Sequence, residues 1–132
     1  MGVVTVAVVD NHPLIVDGLS RLFENRPDYH LLATGHSLSD AWDIAKQSTP
    51  DILILEPAME GRGYDCISQI AAFPNTSVIA FTSLPGVEPA VRALDAGAKG
   101  YTLKTNSADE LHSAISAIQA GDTYITAVLQ RR

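Results

Sequence analysis

Charge is scarce in this chain, and positive charge scarcest. Charged residues make up 18% of the 132 residues, below the quarter or so of typical soluble domains. Nine Lys and Arg face 15 Asp and Glu, for a net charge of −6. Neutralisation of phosphates supplies most non-specific affinity for nucleic acid. A domain this acidic is therefore not expected to bind DNA or RNA directly, and the terminal pair Arg131-Arg132 is too small to reverse that. Cysteine is nearly absent. Cys66 is alone and cannot form an internal disulfide, which fits a reducing cytoplasm and a packing role on a helix. No apolar stretch reaches the ~18–20 residues that a membrane span needs. Met1 leads directly into a strand-like segment, without the basic region, apolar core and small-residue cleavage site of an export signal. The expected location is cytoplasmic, with no membrane partner. Hydrophobic residues are abundant instead, at 46%, which excludes disorder and suits one domain with a proper core.

Strand-like and helix-like periods alternate five times. Val4 to Val9 is rich in β-branched residues and reads as a buried strand. Asn11 is expected to cap the helix that follows, with Pro13 in its first turn and Ile15, Leu19, Leu22 and Phe23 at helical spacing. Tyr29 to Thr34 is a second strand. Ser37 or Ser39 can cap a helix through Gln47. Asp51 to Leu55 is the third strand, and Tyr64 to Phe73 a helix. Ser77 to Thr82 is the fourth strand, and Glu88 to Ala96 a helix stopped by Gly97. Lys99 to Leu103 is the fifth strand. Ser107 and Glu110 form a capping box for a last helix, ended by Gly121. Units of this kind build a parallel sheet covered by helices on both faces. The expectation is a doubly wound α/β domain of five strands in the order 2-1-3-4-5, with five helices. One domain over residues 1–122 is expected, with 123–132 as a tail or the start of a linker.

The apolar runs end in polar residues: Asp10-Asn11 after the first strand, Glu56 after the third, Thr82-Ser83 after the fourth, Lys104 after the fifth. In an open α/β sheet the carboxyl ends of the strands are where ligands and chemistry sit. Strand order 2-1-3-4-5 brings these ends together. The motifs Val8-Val9-Asp10-Asn11-His12-Pro13-Leu14, Pro50-Asp51-Ile52-Leu53-Ile54-Leu55, Phe81-Thr82-Ser83 and Ala96-Gly97-Ala98-Lys99-Gly100-Tyr101-Thr102-Leu103-Lys104 resemble the receiver domain of bacterial two-component response regulators. The subfamily is the one that carries a LuxR/NarL-type helix-turn-helix after the receiver. The segment Ala120 to Ile125 resembles the end of that subfamily's receiver. The resemblance spans essentially the whole chain and implies a flavodoxin-like (CheY-like) fold.

In such receivers an aspartate at the end of the third strand accepts a phosphoryl group from a histidine kinase, two acidic residues after the first strand hold Mg²⁺, and a Thr or Ser and a Lys contact the phosphoryl oxygens. The cation screens the crowded carboxylates and the charge that develops on the transferred group. By that resemblance Asp10 and Asn11 stand at the acidic pair, Glu56 at the acceptor, Thr82 and Tyr101 at the switch positions and Lys104 at the pocket cation. Ala58 and Ser83 supply the backbone groups facing the phosphoryl group. Two positions depart from the pattern. Asn11 removes one formal charge, and Glu56 carries its carboxylate about one C–C bond further out, where a misplacement of about 1 Å can slow a reaction ~100-fold.

The ordinary pocket carries three carboxylates and one lysine; here Asp10, Glu56 and Lys104 leave a single negative charge. Any metal site at Asp10, Asn11 and Glu56 is expected to be weak or empty, with no cofactor required. A direct Glu56–Lys104 pair becomes easy, holding the domain in one state without aspartyl phosphate. The resemblance implies a non-enzymatic signalling module that dimerises, partners a histidine kinase or other signalling protein, and precedes a DNA-binding domain if it has been excised from a longer chain. A conventional Mg²⁺-dependent receiver using a nearby acceptor is the alternative. A haloacid-dehalogenase-like phosphatase also fits Asp10, Thr82 and Lys104 in residue type, but its required second aspartate is His12 here. A flavin site lacks its hydroxyl-rich phosphate cradle after the first strand.

Overall fold

The computed structural model describes residues 2–106 and 108–126. Its elements run β1 (Val4–Val9), α1 (Pro13–Glu24), β2 (Tyr29–Gly35), α2 (Leu38–Gln47), β3 (Ile52–Leu55), a 3-10 turn (Met59–Gly61), α3 (Gly63–Ala71), β4 (Ser77–Thr82), α4 (Val87–Ala96), β5 (Gly100–Leu103), α5 (Ala108–Gln119) and β6 (Tyr124–Ile125). The strands form one parallel sheet in the order β2-β1-β3-β4-β5-β6.

Side chains of a strand alternate between the two faces of a sheet, and the short apolar runs use this directly. Leu53 and Leu55 of β3 enter a core with Ile44, Ile67, Ile70, Ala90 and Ala93, beneath α2, α3 and α4. Ile52 and Ile54 enter the opposite core with Val16, Phe23, Leu111 and Ile115, beneath α1 and α5. Both faces of the central strands are dry, which is why these runs are continuously apolar rather than alternating.

The structure corrects the sequence reading at two points and decides an open alternative at a third. The sheet has six strands, not five. Gly121 turns the chain at φ +95°, and Tyr124 N–H and Thr126 N–H then donate to Lys99 O and Tyr101 O, each at 2.9 Å. A strand of two residues carries no period to read, yet it covers the free edge of β5, where unpaired backbone groups would otherwise face solvent. Asn11 does not cap α1: the N-cap is His12, without a side-chain cap bond, because Asp10 Oδ1 accepts the His12 N–H at 3.0 Å and sets where the chain enters the helix. Of the two candidates for α2, Ser37 is the cap, accepting from Asp40 N–H. The expected Ser107 cap of α5 lies outside the described residues. Glu110 accepts from Asn106 Nδ2 at 3.0 Å and from the hydroxyl of Thr126, so its carboxylate ties α5 to the end of β6.

Gly97 closes α4 in the left-handed region at φ +115°, and a Cβ there would lie 2.5 Å from that of Ala71. No described helix is long and apolar enough to cross a membrane.

Candidate functional site

The parallel register places the strand ends side by side. Val9 pairs with Leu55, Leu55 with Ala80, and Thr82 with Leu103. The ladder continues one residue further, with Glu56 N–H donating to Val9 O and Lys104 N–H to Thr82 O. Asp10, Glu56, Thr82 and Lys104 are thereby brought together, as the sequence reading expected of them.

Asp10 and Glu56 are 1% and 5% exposed. Lys104 Nζ sits between them, 2.7 Å from Asp10 Oδ2 and 2.8 Å from Glu56 Oε1. The contact with Asp10 is one of charge, since that buried oxygen has no hydrogen bond of good geometry. The second oxygen of each carboxylate is also engaged. Glu56 Oε2 accepts the Ala58 N–H at 2.9 Å. Asp10 Oδ1 faces the N–H and the Nδ1 of His12, the latter at 2.8 Å. The outcome is a chain of contacts, His12–Asp10–Lys104–Glu56–Ala58, across the carboxyl edge of the sheet. Burial disfavours the Lys104 ammonium, but its contacts with the Asp10 and Glu56 carboxylates outweigh that and hold its pKa above the ordinary lysine value.

A cleft of about 200 Å³ opens beside this chain, lined by Asn11, His12, Glu56, Ala58, Met59, Thr82, Ser83 and Leu84. Asn11 is at its rim, exposed, and outside the ion-pair chain. Thr82 does not reach Glu56: its Oγ1 faces Leu84 N–H at 3.4 Å. Tyr101 is wholly buried, and its hydroxyl donates to Leu84 O at 2.7 Å. Both switch candidates therefore converge on the backbone of one residue, Leu84, in the β4–α4 loop. Ser83 lines the cleft without a side-chain bond among the described residues.

His12 is a loop residue whose ring joins this chain of contacts through Asp10; its position two residues after Asp10 was the available signal. Leu84 carried no signal at all, because its backbone rather than its side chain makes the contacts.

The residues do not fit a bound Mg²⁺ in this arrangement. Asp10 Oδ1 and Glu56 Oε2 accept backbone N–H groups, Asp10 Oδ2 has no hydrogen bond but faces the Lys104 ammonium, and a divalent ion would have to displace that ammonium from between the two carboxylates. Among the described residues no group of three or more His, Cys, Asp or Glu is placed to hold a metal.

Burial, with smaller contributions from Tyr64 and Glu56, pushes the Tyr101 hydroxyl up to about 12. Tyr101 and Lys104 both hold a proton more tightly folded than unfolded. Their stabilisation is fully present below about pH 10, the unfolded range, and is lost as pH rises through the raised folded values, for Tyr101 about 12. Urea unfolding in this window is expected to show stability falling with pH, and less steeply in Tyr101→Phe. An equal slope in that variant would contradict the assignment.

The turn after Glu56 is closed tightly. A Cβ on Gly63 would stand 1.8 Å from the Pro57 carbonyl oxygen. Gly63→Ala is expected to destabilise by about 1–3 kcal/mol through forced backbone displacement, measured by urea unfolding.

A family model described as response regulator receiver domain matches residues 6–116. The oxygen regulatory protein NreC of Staphylococcus carnosus is 30% identical over 123 residues, which is 91% of this chain and 57% of that protein. The transcriptional regulatory protein LiaR of Bacillus subtilis is 28% identical over 121 residues, 90% of this chain and 57% of that protein. The chain thus spans little more than half the length of these curated relatives. Among solved structures, a LuxR-family two-component response regulator from Aurantimonas sp. superposes with TM-score 0.91 at 30% identity, covering 98% of this chain and 94% of that one. The signal receiver domain of NarL from Mycobacterium tuberculosis superposes at 0.84 with 24% identity, covering 92% and 99%, and supports the fold alone.

Proposed function

The chain belongs to the response regulator receiver domain family, and from that premise we propose that it is an atypical receiver: a signalling module of a two-component system that Glu56 and Lys104 hold in one state without aspartyl phosphate. The observation that carries this reading is the ammonium of Lys104 seated between Asp10 and Glu56. Glu56 stands at the position of the family's acceptor and engages two of the groups that the family offers to a phosphoryl group, the lysine and the Ala58 N–H. It brings one negative charge where a phosphoryl group would bring about two, and Thr82 is bonded elsewhere. The state held is the one with Tyr101 buried and tied to Leu84.

Acetyl phosphate with Mg²⁺ tests this directly. Intact-mass spectrometry is expected to show no phosphate on the unaltered chain. A hydroxylamine-sensitive mass gain of one phosphate at Glu56 would defeat the proposal. Phosphate loaded on a neighbouring acceptor would favour the conventional receiver instead.

Output in this reading passes through association and through an effector domain, DNA-binding by analogy with the transcriptional relatives, that follows residues 123–132 in a full-length protein. Dimerisation is supported by the apolar groove between α1 and α5. It has a volume of about 230 Å³ and is lined by Ile15, Gly18, Leu22, Phe81 and Leu111, with Lys104 and Asn106, beside Leu14, a residue 85% exposed. Light scattering over a concentration series is expected to show a dimer that Leu14→Glu weakens; a monomer at every concentration would remove this part.

A further inference from the structure

We propose that Glu60 is a positioning residue. It straps the turn after β3 to the start of α2, and so keeps the Ala58 N–H aimed at Glu56. The inference rests on the reading of Glu56 given above and adds the device that holds its second oxygen.

Three observations converge on Glu60. Its backbone lies in the left-handed region, at φ 56° and ψ 12°, a conformation disfavoured for any residue with a Cβ. Strained residues of this kind persist where surrounding contacts over-determine them, and here a glycine, Gly61 at φ +69°, is the very next residue. The chain therefore carries a carboxylate at a position where glycine would relieve the backbone. That carboxylate has a defined use: Glu60 Oε2 accepts the Leu38 N–H at 2.9 Å. Leu38 is the first residue of α2, whose leading N–H groups lack partners within the helix and whose positive end favours an anion. Ser37 Oγ already serves Asp40 N–H, and Asp40 Oδ2 serves His36 N–H. Glu60 thus supplies from a distant segment the acceptor that the local cap leaves out.

The strap acts on the site through a short, closed segment. Ala58 N–H donates to Glu56 Oε2, Met59 N–H reaches Glu56 O and Arg62 N–H reaches Met59 O. Gly63 lies against the Pro57 carbonyl, where a Cβ would clash. Met59 anchors one side of the turn in the core; Glu60 ties the other side to α2. A turn held on both sides has little freedom to rotate the Ala58 peptide away from Glu56. Loss of the strap leaves the hydrophobic anchor and the fold intact and loosens the peptide.

Amide hydrogen exchange by NMR on the complete chain tests this, with Glu60→Gly and Glu60→Gln. Glycine removes the carboxylate together with the backbone strain; glutamine keeps the strain and an acceptor of the same length but loses the charge. Glu60→Gly is expected to speed exchange at Leu38 and Ala58 about tenfold, the loss of one charge-assisted hydrogen bond, with Glu60→Gln speeding it less. Exchange at Val8 and Leu53 in the central strands is expected to be unchanged, which a general loss of stability would not give. An Ala58 amide protected in the parent and equally protected in Glu60→Gly would overturn the strap alone. An Ala58 amide already unprotected in the parent would overturn both the strap and the Glu56 geometry on which it rests.

Discussion

Lys104→Met is expected to destabilise the domain by about 3–5 kcal/mol, the cost of leaving buried charge without its partner, and to lower the melting temperature by about 10–20 °C for a chain of this size. Methionine preserves length and apolar packing, so the loss isolates the ammonium. Two carboxylates almost out of contact with water would then face each other with no cation between them. Glu56→Gln removes one of them, and in the Lys104→Met background it is expected to recover part of the loss. The coupling between the two sites should be in the range of about 0.5–3 kcal/mol found for contacting residues. Urea or thermal unfolding of the four proteins of this cycle measures it. A Lys104→Met chain that melts within about 3 °C of the parent would show the bridge to be energetically idle.

Glu56→Asp combined with Asn11→Asp is expected to create Mg²⁺-dependent reaction with acetyl phosphate, at least about 100-fold faster than in the parent, the penalty ascribed to a reacting group misplaced by about 1 Å. Shortening residue 56 by one methylene draws the carboxylate back from Lys104. Restoring the acid at position 11 raises the pocket from one net negative charge to two. The ammonium then no longer suffices to screen the cluster, and a divalent ion has a reason to enter. Time-resolved intact mass with Mg²⁺ and with chelator gives the rate, and hydroxylamine sensitivity identifies the acyl phosphate. Asn11→Asp alone should stay inert, because the acceptor would still be pinned on Lys104 and Ala58. A double variant as inert as the parent would place the defect outside these two residues, in the turn that follows Glu56.

Much of the fold was legible because its central strands are buried on both faces. Short, largely apolar runs of four to six residues, several rich in β-branched side chains and each followed by an amphipathic segment, admit few arrangements other than a parallel sheet with helices on both sides. Nothing in Ile52-Leu53-Ile54-Leu55 says which residues face α1 and α5 and which face α2, α3 and α4; strand position decides that. β6 was missed because two half-buried residues have no period and its pairing partner lies more than twenty residues upstream. Asn11 was misread as a cap because capping propensity is local, whereas the helix entry is set by Asp10, whose carboxylate Lys104 also holds from the far side of the sheet.

For the site, residue chemistry and the contact of Glu56 with Lys104 were available in advance; the other partners were not. Asp10, Glu56 and Lys104 could be named from the polar residues that end the apolar runs, since a parallel sheet must gather those ends on one edge. That the lysine would lie between both carboxylates depends on side-chain reach across three strands. That Thr82 and Tyr101 would turn to Leu84 depends on a loop with no sequence signature. Glu60 was unreadable for the same reason: its backbone conformation is unfavourable by itself and exists through a bond to Leu38, 22 residues away.

Alone, the order of amino acids determined the layered α/β architecture and the edge on which Asp10, Glu56, Thr82 and Lys104 gather, because periodicity and strand burial are local properties. Only the folded molecule decided which atom answers which: the ammonium shared by Asp10 and Glu56, the Ala58 amide on Glu56, the sixth strand and the Glu60 strap. Those contacts join segments far apart in the chain, and their free energy exists once packing has brought the segments within hydrogen-bonding distance.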